Sequence, residues 1–156
     1  MVYGSNNATF RRALWDSLVT HSTTVGAWVA MGDFNIIRSA QEKFSNTPPD
    51  HADITEFNAC LDVCGLDDLS GSGSEFTWFN KQDPSTRVYS KLDKILTNAK
   101  WTLAFTQTSA SFLAPTVSDH CPGLLTFYDD PFPKKQFKFL NCWIDHPDYK
   151  HKVREA

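Results

Sequence analysis

The chain has 156 residues, 41% of them hydrophobic, enough for one domain with a core and too apolar for wholesale disorder. No apolar run reaches the ~18 residues that span a bilayer, and no charged segment leads into an apolar one as in a secretory signal, so a nuclear or cytoplasmic location with reduced thiols and no membrane partner is expected. The net charge is −3 but uneven: residues 1–131 carry nine Lys/Arg against fifteen Asp/Glu, and residues 132–156 six against three, which excludes a uniformly basic nucleic-acid coat and suits either an ordinary acidic surface or a hydrolase that binds a divalent cation.

In chain order, Met1–Tyr3 reads as a strand running into a Gly4–Asn7 turn. Asn7 or Thr9 is placed to cap a helix to about Thr20, with Phe10, Leu14, Leu18 and Val19 at helical spacing. Trp28–Met31 is a short buried strand ended by Gly32-Asp33. Residues 38–52, with Pro48-Pro49, read as a long loop. Asp53 is expected to cap a second helix whose apolar face is Ile54, Phe57, Leu61 and Cys64 and which stops near Gly65. Ser70–Ser74 reads as a turn, and Glu75–Phe79 and Val88–Leu96 as strands joined by a hairpin loop, Asn80–Thr86. Lys100–Phe105 predicts a short helix, and Thr108–Leu113 and Gly123–Tyr128 predict two more strands. Asp129–Lys135, with Pro131 and Pro133, marks a boundary; an aromatic stretch, Phe137–Trp143, and a basic helical end, Asp148–Glu155, follow. Strands alternating with helices argue for α/β layers, and the strand-only stretch from residue 75 adds antiparallel pairing.

Three segments carry candidate chemistry. In "MGDFN" an apolar strand delivers Asp33 and Asn35 just past its end, where open α/β sheets place ligands. Two residues apart in extended chain, they point the same way and suit a phosphate with its attacking water. An Asx turn closing the strand accounts for the same pair. In "TVSDHCPGLLTF" Asp119 suits a hard cation such as Mg²⁺, and His120 suits proton movement near neutral pH. In "YSKLDKIL" Asp93 lies within an apolar strand. It either faces solvent between Lys91 and Lys94 or pairs with a histidine whose tautomer it fixes, which ties it to His120.

"GDFN", "FTWFN", "SKLDKIL" and "SDHCP", in this order, resemble the endonuclease/exonuclease/phosphatase superfamily with its DNase I-like fold. Over nearly the whole chain the sequence is similar to the apurinic/apyrimidinic-type endonuclease domain of plant non-LTR (LINE-type) retrotransposons. The resemblance implies metal-dependent cleavage of phosphate esters, with Mg²⁺ or Mn²⁺ as cofactor and DNA as partner. It implies Tyr3 close to the scissile phosphate, Asp33 on the attacking water, Asn35 holding water and phosphate oxygen, Asp93 orienting His120, His120 on the phosphate, and Asp119 near the metal. Which of Asp33 and His120 is the general base stays open. Trp78 and Phe79 fall where such proteins place DNA-contacting aromatics, although packing in a strand core explains them as well.

The same resemblance implies an α/β fold that is the C-terminal half of a DNase I-like α/β-sandwich: a mixed, mainly antiparallel sheet with flanking helices, the N-terminal half missing. A partial domain over 1–130 and a Pro/basic connector over 131–156, like a linker toward a reverse transcriptase, are expected. The principal metal glutamate belongs to the absent half, so weak or no activity is expected of this chain. An apolar inner sheet face is expected to be left open, to bind the missing half or another partner or to self-associate. A phosphomonoesterase or phosphoinositide phosphatase of the same superfamily is the alternative chemistry. Cys60 and Cys64, four apart on a helix, fit small core residues better than a zinc site with His51. Cys121 points away from His120, and Lys150, Lys152 and Arg154 suit a solvated helix face.

Overall fold

The computed structural model describes residues 1–128, 147 and 149–155. In chain order the elements are β1 (Val2–Tyr3), α1 (Ala8–Ser22), β2 (Val29–Asp33), a 3-10 turn (Ala40–Glu42), β3 (Lys43–Phe44), α2 (His51–Cys64) and β4 (Leu66–Asp68). There follow β5 (Gly71–Gly73), β6 (Trp78–Phe79), β7 (Tyr89–Ser90), β8 (Asp93–Asn98), α3 (Ala99–Ala104), β9 (Ser109–Phe112), β10 (Gly123–Thr126) and α4 (Tyr149–Glu155). The boundary at Asp129–Lys135 and the aromatic stretch Phe137–Trp143 lie outside the described residues.

The helices start where side chains satisfy their free amides. Asn7 caps α1, its side chain accepting from the Thr9 and Phe10 amides. The cap of α2 is Asp50, three residues earlier than the sequence suggests. Asp50 follows the Pro48-Pro49 pair and accepts from the Ala52 and Asp53 amides, while Asp53 sits in the first turn and ion-pairs with Arg11 at 2.6 Å. Gly65 ends α2 in the left-handed conformation at φ 62°.

The strands form a four-stranded sheet in the order β1-β2-β8-β4, a three-stranded sheet β10-β9-β5 and a three-stranded sheet β3-β7-β6. Pairing is antiparallel except for β1 with β2 and β5 with β9. The mixed, mainly antiparallel sheets with flanking helices are the expected fold class. Three sequence expectations about strands change. The 38–52 loop contains β3, which pairs with β7. The expected single strand Val88–Leu96 is two strands in different sheets, with the chain crossing between them at Lys91-Leu92. The Ser70–Ser74 turn likewise holds β5, which lies beside β9.

α1 and α2 cover one face of the first sheet. Phe34, Phe57, Leu61 and Leu96 are fully buried there, with Trp15 stacked on Phe57 at 4.8 Å. Burial of side chains this size stabilises by about 1.5–3 kcal/mol each. On the other face Ile95 is buried, with Gly123 and Phe112 of the second sheet against it, so the face expected to be open is covered over β8. Close approach of β1 to β2 requires two glycines. A Cβ on Gly32 would lie 2.1 Å from Val2 O, and one on Gly4 would lie 2.3 Å from Phe34 O.

Candidate active site

Strand register builds the site. Tyr3 is opposite Asp33 on β1 and β2, and Asp33 is opposite Asp93 on β2 and β8. Residues paired across strands share a face, so one row of Tyr3, Asp33 and Asp93 crosses the end of the first sheet. A second row crosses the third sheet: Lys43 opposite Ser90, Ser90 opposite Trp78, and Trp78 bridged to His120. All of these except Asp93 line a cleft of about 640 Å³, together with Asn35, Arg11, Leu92 and Asp119.

The rows meet at His120, whose Nδ1 lies 2.9 Å from Asp93 Oδ2. Asp93 is therefore not the solvent-facing residue that its lysine neighbours suggest. The buried neighbour is Lys94, which pairs with Glu42. Thr77 holds the junction. Its Oγ1 accepts from the Leu92 and Asp93 amides at 3.0 and 2.9 Å, and its carbonyl accepts from the Cys121 amide at 2.7 Å. Thr77 is fully buried and fixes both partners of the Asp93–His120 pair.

Asp33 and Asn35 form the second half. The Asn35 amide donates to Asp33 Oδ1, and Asn35 Nδ2 donates to Asp33 Oδ2 and to Gly4 O, all at 2.8 Å. The Asx turn is thus present, and it leaves both side chains on the cleft. Asn35 sits at φ 51°, a conformation asparagine tolerates. With Nδ2 fully used, its Oδ1 is the atom available to a ligand, an acceptor suited to a water proton. Desolvation holds the Asp33 carboxyl above the usual range, the Asn35 amide opposes this, and the Asp93 charge adds to it.

Asp119 behaves differently. Its Oδ2 accepts from Trp78 Nε1 at 2.9 Å, and this bond holds its carboxyl below the usual range. Among the described residues the group that brings ligand atoms within 4.8 Å of one another is Asp33, Asp93 and His120, without Asp119. Two carboxylates beside an imidazole fit a hard divalent cation. Among the described residues no glutamate lines the cleft. Tyr3 lines it at 79% exposure. Phe79 does not; it stacks on Tyr89 at 5.7 Å. Cys60 and Cys64 are buried in the core, as their small-residue reading expects.

Sequence reasoning missed Arg11, Thr77 and Lys43. Arg11 is buried and donates to the carbonyls of Ser5, Asn6 and Asn35 at 3.1, 3.1 and 3.2 Å. It thereby ties the loop after β1 to the Asn35 turn. Its signal was present: Arg11, Trp15 and Leu18 lie at i, i+4 and i+7, the core stripe of α1. Residues 3–120 match the family described as "Endonuclease/Exonuclease/phosphatase family". No curated protein matches the chain.

Proposed function

The chain belongs to the endonuclease/exonuclease/phosphatase family, and from that premise we propose that the cleft is a phosphodiesterase site of the DNA endonuclease type, weak in this chain. Family members generally depend on a divalent metal and commonly act on nucleic acid. The observation that carries the reading is the convergence of Asp33 and Asn35 with His120 on one cleft, where Asp93 from a third segment holds the His120 Nδ1. The order of "GDFN", "FTWFN", "SKLDKIL" and "SDHCP" supports a LINE-type retrotransposon origin, with residues 1–130 as the catalytic domain and 131–156 as a connector. Trp78 in the cleft wall supports DNA over a small phosphomonoester, because its ring offers a base a stacking surface.

In this reading Asn35 Oδ1 and the Asp33 carboxylate hold a water, and Asp33 takes its proton as the oxygen attacks phosphorus, while the P–O bond to the leaving ester oxygen breaks and that oxygen takes a proton from solvent. A raised carboxyl pKa suits a base. His120, with Nδ1–H donating to Asp93, acts in its protonated form, its Nε2–H donating to a phosphoryl oxygen and offsetting the growing charge. Asp33 and Asp93 would hold Mg²⁺ or Mn²⁺, which when bound neutralises phosphate charge. Weakness follows from the donor set: among the described residues no glutamate lines the cleft, one oxygen of Asp119 is engaged by Trp78, and Asp93 is shared with His120.

The test is nicking of supercoiled plasmid and hydrolysis of bis(p-nitrophenyl) phosphate with Mg²⁺ or Mn²⁺, against EDTA and against His120→Ala. Slow turnover lost in both controls is expected. Turnover that survives His120→Ala, or none at any metal concentration, defeats the reading.

A further inference from the structure

The row Lys43, Ser90, Trp78 and His120 spans three strand-to-strand steps, which at about 4.8 Å each separates Lys43 from His120 by about 14 Å of sheet. Side chains stand roughly perpendicular to a sheet, and all four line the cleft. A phosphate held by His120 is therefore out of reach of the Lys43 ammonium.

Lys43 is half-buried at the end of the strand row away from His120, and no ion pair among the described residues neutralises it. The two acidic residues that α2 and its cap add to the cleft lining are committed elsewhere. Asp50 accepts from the first amides of α2, and Asp53 is paired with Arg11. Between Lys43 and His120 the wall offers the Ser90 position and the Trp78 ring, with Leu92 and Val88 beside them. The cleft is thus a cation, an aromatic and apolar middle, and a histidine, in that order.

We infer that Lys43 is a specificity-determining residue that binds a second phosphate of a polynucleotide strand while His120 holds the first. This deepens the DNA-cleaving reading and rests on it for the identity of the first phosphate. The substrate it selects carries at least two phosphates with a stackable group between them, as one strand of a duplex does. A monoester has nothing to place at Lys43.

The test measures binding, which needs no turnover. Anisotropy of a short fluorescein-labelled DNA duplex is followed against salt concentration with the full chain in EDTA. Each phosphate neutralised contributes a slope of about −0.9 in log K against log [salt]. Lys43→Ala, and Lys43→Gln as a variant that keeps the stem, should flatten the slope by about 0.9, and Lys43→Arg should restore it. Lys100→Ala, the same charge change at an exposed position outside the cleft, should leave it as in wild type. An unchanged slope in both Lys43 variants, an equal change in Lys100→Ala, or a wild type that does not bind the duplex each overturns the assignment. So does inositol hexakisphosphate that competes with the duplex equally well in wild type and Lys43→Gln. If the slope behaves as expected but the diester is not hydrolysed, the hydrolase reading falls and the Lys43 contact stands.

Discussion

Asp93 Oδ2 and His120 Nδ1 lie 2.9 Å apart, joining the end of β8 to the turn before β10. A carboxylate on Nδ1 selects the tautomer in which Nδ1 carries the proton and Nε2 faces the cleft. Asp93→Asn offers an amide that either keeps or reverses that tautomer, so the imidazole loses its single orientation. A fall in kcat on a phosphodiester of about 10–100-fold is expected. Imidazole nitrogen NMR should show one tautomer in wild type and a mixture in the variant. Equal kcat in the two proteins would refute the pairing as a functional contact.

Asp33 gives a stability prediction with a definite sign. Its carboxyl is raised in the folded state, chiefly by desolvation. Between the ordinary carboxylate value and the raised one the folded state holds a proton that the unfolded state has lost. Stability therefore falls as pH rises through that window. The cost is absent below the ordinary value and complete above the folded one. Relative to wild type, Asp33→Asn should gain stability as pH rises from about 3.5 to neutrality, while losing activity. Urea midpoints at closely spaced pH values check this. A difference between the two proteins that does not vary with pH contradicts the raised carboxyl.

Much of this site was legible because its residues lie at strand ends. "MGDFN" and "SDHCP" each end or begin an apolar run, and the two-residue spacing of Asp33 and Asn35 is visible, although a turn with Asn35 at φ 51° and not extended alternation joins them. What sequence did not yield depends on register. Nothing local states that Lys43 faces Ser90, or that Asp33 faces Asp93. The split of Val88–Leu96 between two sheets was hidden because both halves are apolar and β-forming. Asp50 was passed over as the α2 cap because Asp53 directly precedes the first apolar residue. Asp53 proved to be the partner of Arg11, a contact across 42 residues that no periodicity contains.

Lys94, the second residue of β8, is fully buried, and its ammonium meets Glu42. Burial pushes its pKa down, opposed by the Glu42 charge. Removing Glu42 leaves the Lys94 charge buried, which costs about 3–5 kcal/mol. Glu42→Ala should lower stability by that order, and Lys94→Ala by less, because Glu42 keeps Lys91 at 3.6 Å. The double variant Lys94→Met with Glu42→Leu should cost clearly less than the two single changes added together. Urea unfolding of the four proteins in the cycle is the measurement, and simple additivity would show that the pair is not coupled.

Cys60 lies in the core, and desolvation pushes its thiol up to about 12, with Cys64 contributing. At pH 8 the thiolate fraction is then about 10⁻⁴, and the thiolate is the reactive form. Native protein treated with iodoacetamide should leave Cys60 and Cys64 unlabelled in peptide maps, and urea should expose both. Addition of Zn²⁺ should not alter this pattern. Rapid native labelling of Cys60 would mean that α2 opens on the timescale of the reaction.

Trp78 gives the last prediction, through its Nε1–Asp119 Oδ2 bond. That bond is the largest cause of the low Asp119 carboxyl pKa, ahead of its own backbone and the charges of His120 and Lys81. Trp78→Phe removes the donor and keeps an aromatic ring, so the Asp119 pKa should rise toward the ordinary carboxylate value. Carboxyl-carbon NMR titration of the assigned Asp119 reads this directly. The stability that Asp119 contributes is present above its ordinary value and is lost as pH falls through its folded one. The acid side of the unfolding profile should therefore differ between the proteins while the neutral region changes only by the lost ring area. Freed from Trp78, Asp119 also gains an oxygen to offer a cation. Its position next to His120 then predicts that Trp78→Phe lowers the Mg²⁺ concentration needed for half-maximal phosphodiester hydrolysis, while weakening DNA affinity through the lost indole surface. A variant in which both quantities move the other way would show that the indole N–H holds Asp119 in its cation-binding position instead of withholding it.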